Sequence, residues 1–303
     1  MLLAEWCGWW VWSEEQFLDF LMRTAPYGGW NVERGLVTTF RVLGPGRAGR
    51  SLMAALDAVG GYRSLGAWGR DRSPRDAAHG VDLLFITTPD DVVADVAAAV
   101  RPVDSTAVIH LSGSLGLDVL DGHARRGSLH PLVPLPTPTI GAERLRSGIT
   151  LTVAGDPAAR SVAEALGGNV VEVDDAARAA YHAAAVIASN HLVALMGQVE
   201  RVAATAGLPL GAFAGLMRAA ADDALALGPR QALTGPAARG DWDTVERHRA
   251  AIAGMAAPRT ELAGYDAMVA LARRLSLDAA EDLDDAVPAP SDAALEAATE
   301  QVA

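Results

Sequence analysis

Six residues, Gly44-Pro45-Gly46-Arg47-Ala48-Gly49, constrain this chain more than any others. Thr39-Phe40-Arg41-Val42-Leu43 before them reads as a short strand. Arg47 to Val59 after them sets Leu52, Leu56 and Val59 at helical spacing. A turn from strand into helix with glycines at these three places has a physical meaning. Gly44 allows the tight turn. Gly46 keeps side chains away from the first helical N–H groups. Gly49 lets the helix lie close to the sheet. A helix N-terminus bared in this way attracts phosphate. The turn is therefore expected to cradle the pyrophosphate of a dinucleotide, with Gly44, Pro45, Gly46, Arg47, Ala48 and Gly49 as its contacts. The alternative is an ordinary glycine-rich turn.

The rest of the chain decides the context. Tyr62 to Trp68 reads as a second strand, and Val81 to Thr87 is a nearly continuous apolar run, as in a buried parallel strand. Asp90 to Val100 reads as a helix with acids at its positive end. Thr106 to Leu111, Ser128 to His130, Ile149 to Ala154 and Asn169 to Val173 add strands, with a helix from Asp156-Pro157 between the last two. Pro131 to Pro138, with four prolines, is expected to be an extended loop. Such alternation predicts an α/β fold, a Rossmann-type, mostly parallel sheet over residues 38–175. Beyond Asp175 the strand patterns stop. Ala176 to Ala206 is one Ala-rich helical stretch, and Pro- and Gly-punctuated helices continue to about Leu275. Residues 176–275 thus read as an all-helical domain, and 276–303 as an acidic, disordered tail. Residues 1–37 look foreign to the rest of the chain, with five of the seven tryptophans.

Charge and composition narrow the functions. The formal charge is −12, eight acids of it in the tail, so no basic footprint for nucleic acid exists. Cys7 is the single cysteine, which excludes an internal disulfide. No run of about 18 apolar residues predicts a membrane span. The start lacks a basic signal-peptide region, and the cytoplasm is the simplest expected location. All 25 basic residues are arginine. Any chemistry that needs a lysine ammonium is excluded.

The end of the second strand should choose the cofactor. It reads Trp68-Gly69-Arg70-Asp71-Arg72-Ser73. Arg70 and Arg72, helped by the Ser73 hydroxyl, suit a 2′-phosphate and so NADP. Asp71 argues for NAD, and a solvated charged loop is the plain alternative. Thr87, Thr88 and Pro89 follow the third strand. They either line the ribose and pyrophosphate or simply start a helix, with Pro89 in its first turn.

Several blocks together resemble one family. They are Gly44–Gly49, His110-Leu111-Ser112-Gly113, Ser128-Leu129-His130-Pro131, Tyr181-His182-Ala183-Ala184-Ala185, Ala188-Ser189-Asn190, Leu233-Thr234-Gly235-Pro236 and Arg239-Gly240-Asp241. Over about residues 38–275 the chain resembles Rossmann-like proteins with a C-terminal DUF2520 domain. These are related to ketopantoate reductases, β-hydroxyacid dehydrogenases and pyrroline-5-carboxylate reductases. The resemblance implies a Rossmann domain followed by a helical domain of the 6-phosphogluconate-dehydrogenase type. It also implies a homodimer built through the helices and an NADP-linked oxidoreductase. Reductases of this group that act on keto or hydroxy acids use a helical-domain lysine as acid/base. This chain has none.

Hydride transfer to a carbonyl or imine needs a polarising donor and a proton. His110, at a strand end, is one candidate acid, and His130, opening the proline loop, is another. Ser112 is a candidate donor to substrate or nicotinamide. His182 and Asn190, eight residues apart on the long helix, are expected to share a face and hold a carboxylate or carbonyl. Each has a structural alternative in the packing of sheet edge or helices. No metal site is expected. These residues leave three readings: an NADP-dependent oxidoreductase acting on a small carbonyl or imine compound, a non-catalytic NADP-binding sensor, and a deazaflavin-linked enzyme.

Overall fold

The computed structural model describes residues 37–255 and 258–286. The tryptophan-rich extension and the end of the acidic tail lie outside the described residues. The chain divides into two compact units, Met1–Asp175 and Ala176–Ala303.

The first unit is a seven-stranded sheet. Its strands are β1 (Thr38–Leu43), β2 (Tyr62–Trp68), β3 (Leu83–Ile86), β4 (Ala107–His110), β5 (Arg125–Pro131), β6 (Thr150–Gly155) and β7 (Asn169–Glu172). The spatial order is β2-β1-β3-β4-β5-β6-β7. Every neighbouring pair is parallel except β5 and β6. Helices α1 (Arg47–Val59), α2 (Val93–Ala99), α3 (Pro138–Leu145) and α4 (Pro157–Ala165) connect the strands.

Period-two alternation explains how both faces are buried. Phe40, Val42, Phe85, Ile109, Leu129, Leu151 and Val153 turn to one face, where Leu52 and Leu56 of α1 and Val162 of α4 meet them. Phe40 and Phe85 pack edge to face at 6.0 Å. Leu43, Leu84, Ile86 and Val108 turn to the other face, against Val93 and Ala97 of α2.

Two local expectations are corrected. Asp90–Val92 is a 3₁₀ turn, and the α-helix begins only at Val93. The proline loop ends at Thr137, because Pro138 opens α3. Thr137 caps that helix by accepting from the Ile140 N–H at 3.3 Å, and Pro138 supplies the pre-set φ of a first helical residue. Gly141 lets α3 settle onto α1, since a Cβ there would meet Ser51 Cβ at 2.7 Å.

The second unit is helical. After a 3₁₀ turn at Asp175–Ala177 come α5 (Arg178–Val186), a π turn (Ile187–His191), α6 (Leu192–Thr205), α7 (Ala214–Leu227), the short α8 (Pro229–Ala232) and α9 (Pro236–Arg239), α10 (Trp242–Ala253) and α11 (Pro258–Ala286). Asp241 caps α10 by accepting from the Thr244 N–H at 3.1 Å. α11 continues past Ser276, where the sequence places a disordered tail, to Ala286. Its Leu-Asp-Ala-Ala-Glu run consists largely of good helix formers, and proline arrives only at Pro288. An 18-residue window within Asp175–Thr205 has a mean hydropathy of 1.3, so by length and composition this stretch could cross a membrane. The expectation of no such run does not hold by length and composition, because Val186, Ile187, Leu192, Val193 and Leu195 raise the mean between the polar residues Tyr181, His182, Ser189, Asn190 and His191. The helix is tied to protein all the same. Gln198 donates to the Glu261 carbonyl at 2.7 Å, and Arg201 pairs with the buried Glu261 carboxylate at 2.5 Å.

Candidate functional site

In the order β2-β1-β3, the chain leaves β1 toward one side and returns to β3 on the other. The crevice outside the carboxyl ends of β1 and β3 is the switch point where ligands of such sheets bind. The glycine turn follows β1, and Thr87-Thr88-Pro89 follows β3. The sequence-predicted groups of these two loops therefore meet.

Each glycine is required for a different reason. Gly44 has φ +91°, and a Cβ there would lie 2.9 Å from Thr88 N. A Cβ on Gly49 would lie 2.7 Å from the Gly44 carbonyl and 2.9 Å from Val42 Cγ1. Gly46 is different: a Cβ there would meet nothing within 4 Å. Gly46 is the N-cap of α1 and no side chain caps that helix. The space before its first N–H groups is open, as a bound pyrophosphate requires.

The two threonines divide the work. Thr87 Oγ1 donates back to the Leu43 and Gly44 carbonyls, at 3.1 and 2.5 Å. It holds the turn, and its only proton is used inside the protein. As a donor Thr87 is spent within the turn, while its oxygen can still accept. Thr88 Oγ1 is buried and has no hydrogen-bond partner. It does not cap the next turn, whose N-cap position is Pro89. A buried hydroxyl without a partner costs free energy unless a ligand supplies one.

The arginine loop lies against the glycine turn. Gly44 N–H donates to the Trp68 carbonyl at 3.0 Å, and a Cβ on Gly69 would lie 3.7 Å from Pro45 Cγ. Arg70 and Arg72 are exposed, and among the described residues neither pairs with a carboxylate. Asp71, the argument for NAD, pairs with neither. Ser73 caps the short turn Pro74–Asp76, accepting from Arg75 N–H at 3.4 Å. Its hydroxyl proton stays available to an anion.

The proposed proton chemistry is rearranged. His110 ends β4, and its side chain is fully buried at 0 % exposure. Its register partners in the sheet are Ile86 and Ser128. Burial of the whole ring argues against His110 as the donor to a substrate arriving from solvent. Ser112 is engaged within the protein. Its hydroxyl donates to Asp90 Oδ2 at 2.7 Å and accepts from the N–H groups of Ser114 and Leu115, at 3.1 and 3.2 Å. Ser114 donates to the same Asp90 oxygen at 2.7 Å. The two serines and Asp90 clamp the loop after β4 to the loop after β3. Sequence reasoning placed Asp90 at a helix start and missed this clamp; the Ser-Gly-Ser spacing was its only signal. His130, near the end of β5, is half-buried. Its ring lies on Gly113, where a Cβ would come within 2.8–2.9 Å of three ring atoms.

His182 and Asn190 belong to the helical unit. His182 is in α5, and Asn190 lies within the π turn Ile187–His191. A π turn widens the helix locally and changes the number of residues per turn. Asn190 is exposed, and its Oδ1 accepts from Ser189 Oγ at 3.0 Å.

Comparisons with known proteins agree with this architecture. No curated protein matches the chain in sequence. Among solved structures, a protein from Thermotoga maritima is 25% identical with a TM-score of 0.60, covering 79% of this chain and 98% of that one. A Bacteroides fragilis protein assigned as an NADP oxidoreductase is 18% identical at TM-score 0.66, covering 80% of this chain and all of that one, 100%. An imine reductase from Streptomyces aurantiacus is 16% identical at TM-score 0.54, covering 80% and 99%. The likeness to the last two is one of fold. Residues 148–271 match the family model described as a domain of unknown function, DUF2520. The match begins before β6, inside the sheet unit. The matched stretch takes in the last two strands of the sheet and the helices after them up to part of α11.

Proposed function

We propose that the chain is an NADP-linked oxidoreductase that moves a hydride between the nicotinamide and a small carbonyl or imine compound. One observation carries the cofactor reading. The open, uncapped start of α1 at Gly46 stands beside an orphaned buried hydroxyl, Thr88 Oγ1, and two arginines without acidic partners. The pyrophosphate would take the α1 N–H groups, and Arg70, Arg72 and Ser73 would take the 2′-phosphate. The bound nicotinamide would supply the hydride chemistry. The reductases of the same fold point the same way.

The chain's own part is to orient the acceptor and deliver a proton without lysine. His130, half-buried against Gly113 at the carboxyl edge, fits the role of proton donor better than His110. The fully engaged Ser112 and the buried His110 favour a second reading, a protein that binds NADP and does not turn it over. One experiment separates them. NADPH and NADH are titrated by fluorescence, then NADPH oxidation is followed over a panel of keto acids and cyclic imines. Arg70→Ala with Arg72→Ala is expected to weaken NADPH about 10- to 100-fold and NADH hardly at all. Equal losses overturn the choice of NADP. Turnover that falls in His130→Ala at unchanged NADPH affinity supports the enzyme; binding with no turnover across the panel supports the sensor.

A second copy of the chain is proposed to cover the helical unit. Val193, Leu216 and Leu225 are 67–87 % exposed there, apolar side chains that a second copy would cover. Light scattering at micromolar concentration would read a dimer mass; a monomer mass would overturn this.

A further inference from the structure

The phosphate-selecting arginine stands on a platform built by an irregularity in β2. Between Phe40 and Val42 on β1 the chain advances two residues, whereas their partners on β2, Ser64 and Ala67, are three apart. The extra residue makes a bulge that includes Gly66, at φ +95°. Had β2 run regularly from Ser64, Trp68 would share the face of Phe40 and Val42. The bulge reverses the alternation, so Trp68 pairs with Leu43 and turns to the face of Arg41.

The two arginines then meet over one ring. The Arg41 guanidinium carbon lies 4.5 Å from the Trp68 ring centroid, and that of Arg72 lies 5.8 Å from it. Both distances are within the range of cation–π attraction. Arg41 is fixed from below. It is buried, and its Nη1 donates to the Ala77 and His79 carbonyls, at 2.5 and 3.2 Å. Among the described residues no carboxylate neutralises it. Burial, and then the charge of Arg72, hold the Arg41 guanidinium below its ordinary pKa. The fold therefore keeps two uncompensated cations around one indole.

We infer that Trp68 and the buried Arg41 are positioning residues that pre-arrange Arg72 for a dianionic phosphate ester on the adenosine ribose. An exposed arginine loses rotamer freedom when it grips a phosphate. Stacking on Trp68 removes part of that loss beforehand. Arg41 adds positive potential that a dianion relieves and a ribose hydroxyl does not.

This inference rests on the dinucleotide reading above, and its test keeps the two apart. NADPH, NADH, adenosine 2′,5′-bisphosphate and 5′-AMP are titrated by calorimetry against the full chain and the variants Trp68→Leu and Trp68→Phe. Trp68→Leu is expected to weaken NADPH and the bisphosphate about 3- to 30-fold and to leave NADH and 5′-AMP unchanged. The unchanged pair also reports that the variant is folded. Trp68→Phe, which keeps a ring, should recover most of the loss. Equal loss for both pairs, or none for either, overturns the platform. A parent protein that binds neither dinucleotide overturns the cofactor reading itself.

Discussion

The two edges of the same sheet are built to opposite rules. At the amino edge, polar groups are consumed by the fold. Asp82 accepts from both the N–H and the hydroxyl of Thr39, each at 2.7 Å. Thr106 Oγ1 bridges the Ala78 and Val81 carbonyls at 2.9 and 2.7 Å. Arg125 grips Asp156 with two bonds of 2.9 Å, and Asp156 also caps α4. At the carboxyl edge only the clamps are closed, namely Thr87 and the Ser112–Ser114–Asp90 set. Beside them stand Thr88 Oγ1 without a partner, α1 without a cap, and arginines without acids. Unsatisfied groups cost stability, and the set gathered beside the glycine turn is where a ligand would complete the structure.

The largest expected effect breaks that contrast within a single turn. Gly46→Trp points a side chain into open space, where the pyrophosphate would lie. It should weaken NADPH about 100-fold or more with little change in Tm. Gly49→Val pushes a side chain into the Gly44 carbonyl and Val42. It should destabilise the fold by about 1–3 kcal/mol, as overpacking does. Thermal melts and NADPH titrations on the two variants test the pair. A Gly46→Trp protein that still binds NADPH would remove the turn from the site.

A smaller effect is expected at the amino edge. Thr106→Val leaves two buried carbonyls short of a donor, at a cost of about 1–3 kcal/mol. NADPH affinity should not change, because the residue lies at the far end of the strands. Denaturant unfolding and calorimetric titration would show stability and binding moving separately. A parallel loss of affinity would mean that the two edges are coupled.

Much of this was legible in the chain, and what was missed has physical causes. The helix Arg47–Val59 and the strand Tyr62–Trp68 are read to the residue, since hydrophobic period and glycine punctuation report local geometry. The helix from Pro138 was hidden by the prolines around it, although Thr137-Pro138 is an N-cap and first-turn signature. The β2 bulge is invisible to periodicity, because it exists only relative to β1. What surrounds His110 and Ser112 was hidden for a related reason. His110 and Ser112 have the right chemistry for catalysis, but burial and the reach of Asp90 are decided by strands far apart in sequence. The π turn at Ile187–His191 likewise leaves no composition signal, because alanine-rich helix and π turn have the same residue types.

The smallest effect concerns pH at the amino edge. The Thr39 N–H, and then its hydroxyl, hold the Asp82 carboxyl below the usual carboxylate range. A carboxyl depressed in the folded state adds stability above its unfolded pKa, about 3.9, and loses it as pH falls through the folded value. Asp82→Asn removes that contribution. The variant should therefore melt slightly below the parent at pH 7, and the two curves should converge as pH falls below about 4. Melting curves from pH 3 to pH 7 would check this. A gap that stays constant across the range would show that Asp82 ties β1 to β3 by hydrogen-bond geometry alone, with its charge contributing nothing. The amino edge would then be held by satisfied hydrogen bonds, leaving charge as a property of the carboxyl edge, where Arg41, Arg70 and Arg72 await a counter-ion.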